Sequence, residues 1–437
     1  MAKKSITKNY IYNLIYQIIV LILPFITTPY VSRILGAEAI GIYSYTISIV
    51  TYFILFGSLG VAMYGQREVA YVQEDKEKRS KVFFEIVIMR FITLAIALIA
   101  FYFSFANFGQ YNMYYKILCL EIIATCLDIS WFFQGLEEFK KTVMRNTLVK
   151  LISVICIFTF VKSVDDLYKY FFIYVLSNLF GNISLWMYLP QYVVKTKLSS
   201  LNIKQHIKPT IALFIPQIAT QIYTVLDKTM IGSIVLDKSE VGFYEQSQKI
   251  IKLLLTIATS LGTVMVPRMA STFANGDNEK LKEYIKKSFS FVLLITFPLM
   301  FGIVSVADVF VPIFFGEGYD KVVNLICIIS PILIAIGISN VIGTQYLLPT
   351  KRQKEYTISV TTGALVNLCL NFIFISKYAS IGAAIATVIA ETMVTLVQLY
   401  LVRKDIKIMD IIKIGKNYFI AGILMFFICY LTRNIYK

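Results

Sequence analysis

Charge is scarce in this chain, and what there is leans one way. Only 16% of its 437 residues are Asp, Glu, Lys or Arg, with 26 acidic against 42 basic side chains. A soluble domain of this length could not hide the 57% of residues that are apolar. Histidine occurs once, as His206, which excludes histidine-based nucleophilic triads and multi-histidine metal centres. The six cysteines, at 119, 126, 156, 327, 369 and 429, all fall in apolar stretches with neither a disulfide framework nor a metal-ligand spacing. The segments predicted to face outward are short, the longest being about 307–321, so no outer catalytic domain is expected. Nothing in the sequence calls for a cofactor or for enzymatic chemistry.

What is abundant is the long apolar run. A helix needs ~20 residues to cross a ~30 Å hydrocarbon core. Suitable runs lie at 10–32, 41–63, 82–104, 114–133, 146–161, 168–188, 210–234, 241–266, 288–306, 322–348, 357–375 and 381–402. A shorter thirteenth run covers 417–432. The expected fold is therefore an all-α integral membrane protein of 12 helices, or 13 if the last run crosses. The first run is too long for a cleaved signal peptide and a second follows at once, so it reads as an uncleaved span.

The formal charge of +16 follows the same topology. With a cytoplasmic N-terminus, the inner segments carry 28 of the 42 Lys and Arg, against 7 in the outer segments and 7 within spans. That is the positive-inside bias. It makes anionic membrane lipids a partner and removes the need for nucleic acid.

The chain also repeats itself. Ala39–Tyr43 at the start of span two matches Glu240–Tyr244 at the start of span eight, 201 positions on. Ser58–Met63 matches Ser260–Met265 at an offset of 202, and Gln134 and Gln345 each stand six residues before a basic pair. Six spans per copy is an even number, so both copies enter from the same side: parallel bundles around a central cavity, a transporter architecture. The divisions expected are 1–207, 208–402 and a basic loop with the extra run at 403–437.

Several segments carry a family resemblance. Pro29–Tyr43 (PYVSRILGAEAIGIY), Trp131–Lys140 (WFFQGLEEFK), Leu226–Gly232 (LDKTMIG), Phe315–Tyr319 and Ile381–Ala384 together resemble Wzx-type polysaccharide flippases. These belong to the multidrug/oligosaccharidyl-lipid/polysaccharide exporter superfamily. The resemblance implies an exporter that moves a polyprenyl-pyrophosphate-linked oligosaccharide between leaflets. Its pathway partners would be a polysaccharide polymerase and glycosyltransferases. Proton or sodium coupling and a multidrug or small-cation antiporter of the same architecture stay open as readings.

Charges inside the membrane point to a site, because each costs at least ~2.5–3.5 kcal/mol at a helix centre. On span eight, Glu245, Gln248, Lys249 and Lys252 recur at i+3 and i+4 and line one face. Lys249 and Lys252 fall about 12–16 Å along the span, near the midplane. They read as a cationic wall for a pyrophosphate, against the plainer reading of a self-satisfying Glu245–Lys249 pair. Asp227 and Lys228 on span seven are adjacent and so point ~100° apart. Asp227 is a candidate ion-coupling group and Lys228 a candidate substrate contact. Arg90 is expected to meet substrate or to pair with Glu121 or Asp128, which are seven residues apart on one face of span four. Glu121, Asp128 and the isolated Glu391 join Asp227 as coupling candidates, with interhelical pairing as the alternative. Arg33 at the outer mouth, Tyr223 and Tyr244 complete the substrate candidates. Asn367 and Asn371, at i and i+4, read as interhelical hydrogen bonds.

Overall fold

The computed structural model describes residues 6–435, except for the side chains at 6–21, 215–217, 219–223, 263 and 433–435. Its described residues form helices and turns, with no strand among them. The chain divides into two compact units, Met1–Ala39 with Tyr43–Val225, and Ile40–Ile42 with Leu226–Lys437. The first contains α1 (Ile6–Ser58), α2 (Val61–Tyr71), α3 (Lys76–Phe101), α4 (Asn112–Cys126), α5 (Ser130–Gly135), α6 (Phe139–Phe160) and α7 (Leu167–Trp186). After α8 (Lys204–Ile234), which carries the boundary, come α9 (Ser239–Ala274), α10 (Asn278–Phe315), α11 (Asp320–Ile329), α12 (Ile332–Ser339), α13 (Gln353–Leu401) and α14 (Ile408–Ile435).

Ten helical stretches among the described residues are long and apolar enough to cross a membrane. Two of them, Ile22–Tyr71 and Gln353–Leu401, have 50 and 49 residues, over twice the ~20 that one crossing needs. The break that lets each accommodate two of the expected spans is at Gly36 (φ 76°) in α1 and at Ala379 (φ 51°, ψ −127°) in α13, and the first stretch breaks again at Leu59 and Gly60 (φ 45° and 73°), where α1 gives way to α2. Proline does not make these breaks: Pro24, Pro29 and Pro298 sit inside continuous helix. Glycine fits the break in α1 without penalty, whereas Ala379 holds a backbone region that costs about 1–3 kcal/mol. Its neighbour Ser380 is pinned by Glu240, whose Oε2 accepts from the Ser380 backbone N–H at 3.1 Å and from its hydroxyl at 2.5 Å. The other oxygen of Glu240 takes Lys321 Nζ at 2.5 Å.

Three spans differ from expectation, the tenth (322–348) because it is interrupted at Ser330 and Pro331 between α11 and α12. The fifth was placed at 146–161, but α6 begins at Phe139. Lys140, Lys141 and Arg145 end a hydropathy window without ending a helix. The fourth is not one continuous helix. It stops at Cys126, and Asp128 Oδ1 accepts the Ser130 N–H at 2.9 Å as the chain restarts at α5. Glu121 and Asp128 therefore do not share a helical face.

The internal repeat is visible in the turns. Leaving the fourth expected span, the chain makes a bond from Glu138 N–H to Phe133 O at 2.8 Å around Glu137 (φ 57°). Leaving the tenth, it makes the same bond from Arg352 N–H to Leu347 O at 2.8 Å around Lys351 (φ 63°). Both are Schellman-type helix ends with a non-glycine residue in the left-handed position. They are 214 positions apart, so the counterpart of Gln134 in this turn is Leu348 rather than Gln345.

The two units also build their cores at matching stations. In the first, Tyr64, Phe83, Ile86, Trp131, Phe132 and Leu185 pack where α2, α3, α5 and α7 meet. In the second, Met269, Phe289, Val292, Ile342, Leu347 and Val402 pack at the corresponding ends of α9, α10, the π-helical turn Asn340–Leu347 and α13. Lipid gives helices no hydrophobic reason to associate, so close approach matters. At Gly65 a Cβ would come within 2.4 Å of the Trp131 ring, which is why the indole can lie flat there.

The segment after α7 is tied to the first unit. Arg79 donates to the Tyr192 carbonyl at 3.1 and 2.6 Å, and the Val194 N–H donates to Ser80 Oγ at 2.8 Å. Buried Glu85 takes the Asn202 N–H at 2.6 Å and lies 2.7 Å from His206 Nε2, whose Nδ1 is 2.7 Å from the Tyr64 hydroxyl. The single histidine is thus a structural anchor at the start of α8.

Candidate functional site

The second unit gathers most of the intramembrane polar groups on α8, α9 and α13, and α9 sorts them by face. One face carries Tyr244 and Gln248, both buried. Tyr244 donates its hydroxyl to Asp227 on α8 and accepts from Gln248 Nε2 at 2.9 Å. Asp227, 8% exposed, also receives Asn371 Nδ2 at 2.7 Å and Thr387 Oγ1 at 2.9 Å. Asn371 Nδ2 lies 3.1 Å from Asn367 Oδ1. Two atoms of this cluster have no hydrogen-bond partner despite full burial, Asn367 Nδ2 and Asn371 Oδ1. Buried amide atoms are rarely left so, and the assignment of amide O and N follows from the network rather than from observation. Turning the Asn371 amide over would aim its oxygen at Asp227. Carboxylate, amide and hydroxyl oxygens would then converge, an all-oxygen set of the kind that suits hard cations.

The next face of α9, ~100° round the helix from Tyr244, is charged. Glu245 Oε2 pairs with Lys228 Nζ at 3.0 Å, with the two side chains 24% and 21% exposed. Lys249 and Lys252 follow along this side and form no ion pair among the described residues. The Glu245–Lys249 pairing weighed from the sequence is thus replaced by a pair between helices. Gln248 belongs with Tyr244 and Asp227, and Asp227 and Lys228 diverge as their adjacency requires.

The two faces of α9 thus differ in kind, one a hydrogen-bonded cluster around a buried acid and the other a run of charged side chains. The family profile described as polysaccharide biosynthesis protein matches residues 6–273. The chain belongs to that family. The profile described as lipid II flippase MurJ matches residues 147–437 as well. Among related proteins, one from Escherichia coli (strain K12) named "Putative O-antigen transporter" is 27% identical over 408 residues, 92% of this chain and 98% of the relative. A protein from Haloferax volcanii named "Probable low-salt glycan biosynthesis flippase Agl15" is 25% identical over 169 residues, 38% of this chain and 35% of its own. Of solved structures, a lipid II flippase MurJ in an inward closed conformation superposes with a TM-score of 0.76 at 19% identity, covering 97% of this chain and 100% of that one. An inward-facing multidrug transporter of the MATE family gives 0.66 at 12% identity, covering 95% and 97%. At these identities the structural likeness establishes the fold alone, an all-helical scaffold shared with those proteins.

The remaining candidates of this family member lie elsewhere. Arg90 is buried on α3 and donates Nε and Nη2 to the Thr125 carbonyl at 3.1 and 2.7 Å, not to Glu121 or Asp128. Glu121 takes Asn178 Nδ2 at 3.0 Å, and Asp128 lies 3.6 Å from Arg145. Glu391 is half-buried on α13, and its carbonyl accepts from Thr395. Arg33 is exposed on α1, three residues before the Gly36 break. The Tyr223 side chain lies outside the described residues. Sequence reasoning missed Thr387 and gave Asn371 a merely structural role. The signal for Asn371 was the presence of an acid, Asp227, in another span; nothing in the sequence marked Thr387.

Proposed function

We propose that this chain is a flippase that carries a polyprenyl-pyrophosphate-linked oligosaccharide repeat unit across the bacterial cytoplasmic membrane by alternating access, for surface polysaccharide synthesis. The observation that carries the reading is the α9 face, where Lys249 and Lys252, in no ion pair of their own among the described residues, stand beside the Glu245–Lys228 pair, three lysines to one carboxylate. Lysines so placed need an anionic cargo, and a pyrophosphate is one. The names of the relatives, O-antigen transporter and flippase, point the same way. A multidrug antiporter would favour a site that is acidic overall, which this face is not. Glycosyltransferases would supply the cargo and a polymerase would consume it.

The Asp227 cluster is the proposed coupling site, for sodium or a proton, on the unit that carries the cationic face. Reconstituted wild-type protein should move a fluorescent lipid-linked oligosaccharide to the protected leaflet, and an ion gradient should drive accumulation. Asp227→Asn should bind the cargo yet lose the gradient-driven component at least tenfold. Wild-type vesicles with no transfer would remove the flippase reading; full gradient response in Asp227→Asn would remove the coupling site alone.

The orientation follows the charge bias, with the N-terminus and the segments 64–81, 267–287 and 403–416 in the cytoplasm, each of the three holding five Lys or Arg. Single cysteines placed there, in a background free of native cysteine, should resist impermeant thiol reagents in intact cells. Labelling from outside would reverse the topology.

A further inference from the structure

Glu121 is a buried acid with no ion-pair partner among the described residues. It is 9% exposed and stands nine residues into α4, about 14 Å along the helix and so near the middle of a ~30 Å core. Asn178 on α7 is its hydrogen-bond partner, with Nδ2 at 3.0 Å from Oε1 and 3.3 Å from Oε2. The charged and titratable groups of the packed elements are otherwise occupied or neutral. On α3, the Arg90 guanidinium is turned to the Thr125 carbonyl. On α7, Lys169 is held by Asp166 at 2.6 Å, and Tyr174 stands one turn before Asn178. On α4 itself Lys116 is exposed, and Asp128 lies past the helix end, bonded to Ser130 and facing Arg145. The π-helical turn Tyr102–Ala106 brings only the exposed Tyr102.

A carboxylate so buried, with one neutral donor, keeps a penalty of several kcal/mol that no partner offsets. The neutral acid suits the same place, since it forms a carboxyl–amide hydrogen bond between helices. We propose that Glu121 binds a proton in this state and releases it when α4 and α7 part, giving the first unit an ion site of its own. The reaction is a simple proton transfer, from water to the carboxylate and back. Its use in moving cargo rests on the flippase reading above; the proton site itself does not.

Infrared difference spectra of the purified chain in lipid nanodiscs, recorded across a pH titration, test the site. Wild type should show a protonated-carboxyl carbonyl band that Glu121→Gln abolishes and Glu121→Asp retains. Because glutamine can keep the bond to Asn178, abundance and thermal stability should stay at wild-type levels. In proteoliposomes, translocation by Glu121→Gln should fall at least tenfold and lose its pH dependence, with Glu121→Asp restoring both. An unchanged carbonyl band, or a wild-type pH profile in Glu121→Gln, would overturn the proposal. If wild-type vesicles move no cargo, the flippase reading fails while the infrared band still decides the proton site.

Discussion

Replacing Lys249 and Lys252 together with glutamine is expected to stop translocation while leaving a stable, correctly inserted protein. Each lysine offers a charge-assisted hydrogen bond to a crossing phosphate, worth roughly 1.5–3 kcal/mol. At about 1.4 kcal/mol per tenfold, losing both should slow transfer 100-fold or more. Cells relying on the double variant should lack surface polysaccharide and accumulate the lipid-linked precursor on the inner leaflet. The Lys228–Glu245 pair makes this a clean test, since Glu245 keeps its partner at 3.0 Å when the other two lysines are neutralised. Glutamine also preserves helix propensity and most of the side-chain volume. Undiminished transfer by a stable double variant would sink the cationic-face assignment and leave the fold untouched.

The opposite outcome is expected at Lys228. Changing it to methionine takes from partly buried Glu245 its partner at 3.0 Å, and breaking such a pair from one side costs up to about 3 kcal/mol. The variant should lose abundance and unfold at lower temperature in detergent. Removing Glu245 as well, in Lys228→Met/Glu245→Met, should recover most of that loss, because the isolated charge is gone. If Lys228→Met melts with wild type, the pair contributes nothing to stability and Lys228 is free to be read as a cargo contact instead. The two experiments thus separate the α8 lysine expected to hold the structure from the α9 lysines proposed to meet the substrate.

Much of the fold could be read from the sequence because a membrane imposes one length and one polarity on every crossing. The expected spans coincide with helices wherever apolar residues run unbroken. They fail at α6, where cationic side chains occupy the first turns of a helix that does not end. They fail again at Cys126, where α4 ends inside the expected span and the chain restarts at Ser130, its N–H bonded to Asp128 Oδ1. The candidate site was legible as far as charge allowed: Asp227, Lys228, Glu245, Lys249 and Lys252 all stand out in an apolar stretch. Which of them pair was not legible. Glu245 has Lys249 at the helical i+4 spacing, yet reaches across to α8, and only the placement of α8 against α9 decides that. Thr387 was invisible for a different reason, since a threonine in a membrane helix usually satisfies its hydroxyl on its own backbone.

The division of α9 into two faces makes its helical phase a conserved quantity in its own right. Tyr244 and Lys249 have different proposed tasks yet are fixed to one rod with 3.6 residues per turn. Side chains on either face can drift, and a flippase that changes cargo could do so by exchanging Lys252 while leaving Tyr244 and Gln248 alone. Length cannot drift in the same way. One residue gained or lost between 244 and 249 would swing every later cation by about 100° away from its track. Relatives that carry different sugars should accordingly differ here by substitution, and never by insertion.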